Sequence, residues 1–494
     1  MSDSDLKQVA RTLFDHALAE CSIERAFERK LRVVTDAEGT RLLVEGCAAI
    51  ALDRLRQVRI VAVGKASAAM LQSLLARLPL ASTCELQGVL IAAESPANLP
   101  AAMQYFCGGH PVPNEASFAA ARAALDLLRT LGNASADETL CLFLISGGAS
   151  AMMELPLDPA ISLDDTIAFH RALVHSGASI VEMNCLRKHF SAVKGGRLAL
   201  AAGRSQCLSL LVSDVPPQHL DALGSGPTLA DSSTVADCRE ILARYGLMER
   251  FPASVQRFFA SADLPETPKP EQLEPFPNCG RPICLSFRSE AKESAFVRSA
   301  TLDPTSGNAP NARICKLVDS NAMAEAARHH AASLGFHAVI DNTCDDWSYN
   351  AAADYLLTRL RELRREHSRV CLISAGEVAV RVESSTANAR GGRNQHFALY
   401  LATQLRTEDA PLAILSAGSD GIDGNSDAAG AIVDTHTLDS NTLDQASHHA
   451  EALRALAAFD SSTFLASLHA TLTTGPTGHN LRDLRILLAE AESC

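Results

Sequence analysis

Residues 411–430 read PLAILSAGSDGIDGNSDAAG. The unbroken apolar run Leu412–Leu415 gives way to a turn-rich loop carrying Asp420, Asp423 and Asp427 among glycines. This predicts a buried strand that ends in a tight loop of carboxylates. Such a loop holds a divalent cation, orients a polar substrate, or only turns the chain, since Gly, Asp, Asn and Ser dominate turns in any case.

The same design recurs. Apolar runs at Val58–Val63, Val89–Ala93, Leu140–Ile145, Leu208–Val212 and Val370–Ile373 alternate with Ala/Leu/Arg-rich stretches. Runs that are apolar at every position suit strands covered on both faces, and the long crossovers between them suit parallel pairing. Leu6, Val9, Leu13 and Ala17 fall at helical spacing within residues 5–30. The expectation is an α/β protein of two domains with mostly parallel sheets: a larger one over residues 1–250 and a smaller one over 312–494. Between them, over 251–311, prolines 252, 265, 268, 270, 275, 277 and 282 predict a linker or surface excursion.

Apolar residues make up 47% of the 494 and charged residues 20%, enough to bury sizeable cores. The net charge of -13, with aromatics at 5% and the single Trp347, argues against a nucleic-acid platform. The 14 cysteines include no C-x-x-C pair, so they read as free buried thiols of a reducing compartment, not a disulfide framework or a zinc cage. No apolar run is long enough to span a membrane, and the N-terminus lacks a secretory layout. A soluble cytoplasmic protein is the expectation.

Open parallel sheets bind ligands at the carboxyl ends of their strands, so the residues following each run matter most. Gly64-Lys65-Ala66-Ser67 offers a sharp turn and a mobile cation, or a solvated lysine; Arg59 excludes a Walker A motif. Ser146-Gly147-Gly148-Ala149-Ser150 reads equally as a phosphate cradle or as tight helix–strand packing. Asp214 opens a loop that runs on to Gly224-Ser225-Gly226-Pro227-Thr228, and it is a metal ligand, a proton acceptor or a cap. Glu377 follows Val370–Ile373, and Arg390-Gly391-Gly392-Arg393 sets two guanidinium forks around a glycine pair. Arg187, Lys188, His189, Lys194 and Arg197 form either an anion-facing patch or a solvated helix face. His110 is a loop contact or a structural turn residue. Neither G-x-S-x-G nor G-x-G-x-x-G occurs. This inventory of cations, amide loops and carboxylates suits phosphoryl transfer, which needs positioning and charge stabilisation more than covalent chemistry.

Nine segments then stand in order: VAVGKASAAM, GGHPVPNEAS, LISGGASAMMELP, NCLRKHFSAVKGGRLA, LVSDVP with GSGPTLAD, SAGE, ARGGRNQ, SAGSDGIDGNSDAAGAIVD and TGPTGHN. Together they resemble the glycerate 2-kinase family, the type II glycerate kinases whose C-terminal part is called MOFRL, over residues 5–490. The resemblance implies ATP- and Mg²⁺-dependent phosphorylation of D-glycerate to 2-phosphoglycerate, a Rossmann-like N-terminal domain, and an active site in an interdomain cleft. It implies catalytic roles for Lys65, for Arg390 or Arg393, and for Asp420, with Arg390 slightly favoured for its place ahead of the glycines. With it, Ser146, Gly147, Gly148, Ser150, Lys194, Gly226 and Thr228 become candidate nucleotide contacts, and Asp214, Glu377 and Asp423 candidate metal ligands. The expected partners are D-glycerate and ATP, with no nucleic acid or membrane, and a homodimer as the assembly to test. This chain departs from the family at His396, where Glu is usual, at Val378-Ala379, where a hydroxyl pair is usual, and at Pro217-Gln218. Two alternatives stand beside the kinase: an NAD(P)H-dependent hydroxypyruvate reductase, a label some members carry, and a catalytically impaired small-acid sensor.

Overall fold

The computed structural model describes residues 2–37, 39–47, 49–131, 135, 137–273, 311–382, 389–439, 445–478 and 480–491. It divides into two compact units: residues 27–212 with 217–317, and residues 1–26 and 213–216 with 318–494. They are called the N-terminal and C-terminal units.

The N-terminal unit is built on a six-stranded sheet in the order Met103–Phe106, Glu85–Ile91, Gln57–Val63, Thr139–Ile145, Gln206–Val212, Asn311–Val318. The pairings among its first five strands are all parallel. Thr139–Ile145 and Gln206–Val212 are buried at every residue, as the continuous apolar runs predicted. Register fixes the functional edge. Val63 lies opposite both Ile91 and Ile145, and Ile145 lies opposite Leu211. The segments that follow Val63 and Ile145 therefore leave the sheet side by side. A separate three-stranded antiparallel ribbon joins Leu31–Asp36, Gly39–Val44 and Ile50–Ala51.

Beside the sheet, the helices Leu163–Val174, Ile180–Phe190, Val235–Arg244 and Ala253–Ala260 share an aromatic core. Phe169 stacks on Phe190 at 4.2 Å and meets Phe251 edge-on at 5.1 Å. This corrects the linker expectation for residues 251–273. Phe251, Val255, Phe259 and Leu264 are core residues there. Pro252 sits at the helix N-cap and Pro270 at the first position of the short helix Pro270–Leu273, where a missing N–H costs nothing. Residues 274–310, with prolines 275, 277 and 282, lie outside the described residues.

The C-terminal sheet runs His337–Ile340, Arg369–Ala375, Asp483–Glu490, Leu412–Gly418, Gly430–Asp434, Thr471–Leu472. The α/β class holds here too, but parallel pairing does not dominate. His337–Ile340 pairs with Arg369–Ala375 in parallel, and the other four pairings are antiparallel. The cause is Asp483–Glu490, which runs backwards between Arg369–Ala375 and Leu412–Gly418. It sets Leu484 against Ala375 and Ala417, and Asp483 against Gly418. Both flanking strands thus end where this strand begins.

The helix Asp3–Glu20 belongs to the C-terminal unit, not to the N-terminal domain that the boundaries at 250 and 312 suggest. Leu6, Ala10, Leu13, Phe14 and Ala17 form its buried stripe. Asp3 anchors its start: its carboxylate accepts from the Leu412 amide at 3.0 Å and from the Thr435 hydroxyl at 2.6 Å. Among the described residues no helix is long and apolar enough to cross a membrane.

Replacing Asp3 by Ala leaves the buried Leu412 amide without that acceptor and removes the partner of the half-buried Thr435 hydroxyl. The expected loss is about 1–3 kcal/mol of stability, read as a lower urea midpoint with an unchanged slope.

Candidate functional site

In the N-terminal unit two loops interlock at the sheet edge. Gly64 has φ +117°, and a Cβ there would stand 2.4 Å from Ser146 Oγ, so only glycine fits. Ser146 Oγ accepts the Ala66 N–H at 3.0 Å, and the Lys65 N–H donates to the Gly147 carbonyl at 2.9 Å. These bonds fix the backbone while the Lys65 side chain stays exposed, and no carboxylate among the described residues pairs with it. Gly148 has φ +86°, and a Cβ there would meet His110 Cδ2 at 3.0 Å and Lys65 Cγ at 3.4 Å. Lys65, His110 and Gly148 thus meet. Burial and the Lys65 charge push His110 below its ordinary range. Ser150 Oγ lies 3.0 Å from Ser225 Oγ, whose hydroxyl donates to Asn184 Oδ1 at 3.1 Å. Among the described residues none accepts from the Gly147 or Gly148 amide.

The remaining sequence-predicted contacts of this unit lie inside it. The Thr228 hydroxyl is buried and accepts from Ser209 at 2.8 Å, and the Gly226 carbonyl takes the Gly196 N–H at 2.8 Å. Lys194 is fully buried, and its ammonium bonds the equally buried Glu154, which also meets His170 Nε2 at 2.9 Å. The anion-facing patch is likewise absorbed. Lys188 pairs with Asp221 at 2.6 Å and Asp231 at 3.2 Å, and His189 is buried with Nδ1 on the Cys185 carbonyl at 2.9 Å. The helix points these groups inward because internal carboxylates meet them there. Cys185 and Cys238 are free, buried thiols, and with His189 they form a cluster whose ligand atoms lie within 4.8 Å of one another, with the two sulfurs 3.4 Å apart.

In the C-terminal unit the shared edge of three strands carries the acidic candidates. Arg393 Nε donates to Asp483 Oδ2 at 2.6 Å, and its Nη2 donates to Glu377 Oε1 at 2.6 Å. A Cβ on Gly418 would lie 3.2 Å from Asp420 Oδ1 and 3.5 Å from Asp483 Oδ1, which puts those carboxylates side by side. Asp345 accepts the Glu377 N–H at 2.9 Å and receives both terminal nitrogens of Arg482, at 2.6 and 2.8 Å. Asp423 is buried and caps the helix Arg393–Gln404, taking the Asn394 and Gln395 amides at 3.0 and 2.8 Å. Burial, with Asp483 adding to it and the helix amides opposing, pushes Asp423 up to about 6. Burial and Asp483 also raise Glu377, with Arg393 opposing. Carboxylates crowded in this way, with Arg393 and Arg482 among them, are a donor set that a divalent cation fits.

The two arginines of the glycine-flanked pair separate. Arg393 joins the carboxylates, whereas Arg390 is exposed and pairs with exposed Asp427 at 2.9 Å. Asp214 accepts from Asn480 Nδ2 at 3.0 Å, in the segment whose Thr477 and Leu481 amides bond the Asp420 carbonyl and Ser419 Oγ. Glu377, Arg393, Asp420, Asp423 and Asp483 all line one cavity of about 1020 Å³. Asp483, Asp345 and Glu154 escaped the sequence reading, because none follows an apolar run or belongs to a glycine-rich loop.

Two family models match the chain. Residues 9–260 match the family described as a domain of unknown function, DUF4147, and residues 370–483 match the MOFRL family. The chain is 33% identical over 382 residues to the D-glycerate 2-kinase of Thermotoga maritima, covering 76% of this chain and 78% of that one. It is 32% identical over 488 residues to a putative hydroxypyruvate reductase of Agrobacterium vitis, covering 99% and 95%. A crystal structure of glycerate kinase from Thermotoga maritima superposes with a TM-score of 0.73 at 29% identity, over 98% of this chain and 100% of that one.

The buried pair makes its own prediction. Burial alone would raise the Glu154 carboxyl, but Lys194 and His170 outweigh it and hold it at about 2, below the ordinary 4.5. A depressed carboxyl stabilises the fold fully above pH 4.5, and this is lost as pH falls towards 2. Glu154→Gln, which strands the Lys194 charge, is expected to cost about 3–5 kcal/mol at neutral pH. Denaturant unfolding across that pH window checks both the loss and its fading in acid.

Proposed function

The chain belongs to the glycerate 2-kinase family, and on that premise we propose that it transfers the terminal phosphoryl group of ATP to the 2-hydroxyl of D-glycerate, giving 2-phosphoglycerate. In this reaction the glycerate oxygen forms a bond to the γ-phosphorus, the bond from that phosphorus to the bridging oxygen breaks, and ADP leaves. The observation that carries the reading is Lys65: exposed, without a carboxylate partner among the described residues, and fixed by its backbone beside Gly148. A cation placed in this way offsets the charge of a phosphoryl group in transfer. The Gly147 and Gly148 amides are assigned to phosphate oxygens.

In the C-terminal unit Glu377, lining the cavity with Asp420, Asp423 and Asp483, is assigned to a magnesium ion, which when bound would neutralise phosphate charge. Asp423, which lines the same cavity while capping the helix, is assigned with it, whereas Asp214, bonded to Asn480, is not among that cavity's lining residues. Asp420, half-buried with Oδ1 on the Ile422 N–H at 3.1 Å, is assigned the acceptor hydroxyl and its proton. Arg393 holds Glu377 and Asp483 in place, and Arg390 has no part in this cluster.

The second reading, a reductase acting on hydroxypyruvate, is favoured by the name of the Agrobacterium relative. It requires a dinucleotide site, and no G-x-G-x-x-G turn is present to build one of the usual kind.

Two measurements test this. Coupled ADP release with D-glycerate is expected, with product phosphorylated at the 2-position; oxidation of NAD(P)H by hydroxypyruvate without ADP release would instead establish the reductase. Lys65→Ala is expected to lower kcat by on the order of a hundredfold, while Arg390→Ala, which removes only a surface pair, stays within about threefold.

A further inference from the structure

The cavity of the C-terminal unit holds more than a three-carbon acid requires. Its volume of about 1020 Å³ is at the upper end of the roughly 300–1,000 Å³ typical of sites for drug-sized ligands and cofactors. Its walls are acidic: Asp346, Glu377, Asp420, Asp423 and Asp483 line it, with Arg393 the one lysine or arginine among its described lining residues. A polyphosphate chelated to a divalent cation suits such walls.

One buried polar atom at the same cavity has no hydrogen-bond partner among the described residues. His396 lies one helical turn beyond Arg393 and is 3% exposed. Its Nδ1 is 2.9 Å from Ser461 Oγ, and its Nε2 makes no hydrogen bond. A buried polar atom left unsatisfied in this way is costly unless a ligand completes it. Its ring stacks on Phe459 at 5.4 Å and meets Tyr349 edge-on at 4.5 Å, so its orientation is fixed. Burial pushes its pKa down to about 4, so at neutral pH the imidazole is uncharged, with one N–H and one lone pair. Val378, Ile422 and Phe459 line the same cavity and supply apolar surface.

We propose that this wall of His396, Phe459 and Val378 binds the purine base of the nucleotide, with His396 Nε2 as the polar contact to the base edge. A base is planar and neutral, and it presents both donors and acceptors, so it satisfies a neutral imidazole in either tautomer. The assignment rests on the ATP-dependent reading above and goes beyond it by placing the base on named residues.

Calorimetric titration of the full-length chain tests it with three probes: ADP with Mg²⁺, tripolyphosphate with Mg²⁺, and adenosine. In the unaltered protein adenosine is expected to displace ADP. His396→Phe is expected to weaken ADP binding about tenfold, the loss of one buried hydrogen bond, and to leave tripolyphosphate binding and the KM for glycerate within about twofold. His396→Gln, which keeps a polar tip, is expected to recover most of the ADP affinity. Equal ADP affinity in all three proteins overturns the base site. So does an equal loss of ADP and tripolyphosphate binding, or a failure of adenosine to compete. An unaltered, folded protein that binds no ADP at all overturns the kinase reading along with it.

Discussion

The C-terminal unit depends on charges buried at the start of one strand. Asp483 is almost wholly buried, and an isolated carboxylate there would be too costly to keep ionised. Arg393 supplies the counter-charge through two bonds to it, and the fully buried Arg485 stands 3.8 Å away with its guanidinium over the Phe397 ring. The strand Asp483–Glu490 therefore takes its place between Arg369–Ala375 and Leu412–Gly418 only with the helix Arg393–Gln404 docked beside it. That docking aligns Glu377, Asp420 and Asp423 at one edge. The interaction that allows the strand to be buried also positions the candidate site.

The N-terminal unit reaches a similar result by different means. Its central strands carry few charges, and parallel register alone sets Gly64-Lys65 beside Ser146-Gly148. Its buried ions lie further from the edge. Lys194 on Glu154 and Lys188 on Asp221 and Asp231 hold helices and loops to one another. Breaking such pairs is expensive even where their net stabilising effect is small.

Much of this was legible in the residues. The apolar runs are strands, and the rule that chemistry follows a strand's carboxyl end led to Lys65, Ser146, Glu377 and Asp420. What remained hidden needed a partner distant in sequence. Lys194 looks like any lysine of a basic stretch until Glu154, 40 residues earlier, is found against it. Cys185 and Cys238, 53 apart, share no motif. Asp483–Glu490 escaped because Asp483, Arg485 and Glu490 interrupt its apolar pattern, and its antiparallel course followed from nothing local. Residues 251–273 looked like a linker because proline frequency was weighed above Phe251, Phe258 and Phe259, which pack into the aromatic core.

The early helix Asp3–Glu20 bears on how the chain is made. Its buried stripe rests against Leu412–Gly418 and Asp483–Glu490, and Asp3 bonds a residue 409 positions away. A ribosome adding about 5–20 residues per second needs tens of seconds to deliver those strands. Throughout that time the apolar side of the first helix lacks those two strands, although the helix Ser320–Ser333, which it also packs against, emerges earlier. The seat of the chain's earliest helix is therefore complete only once its last strand has been made.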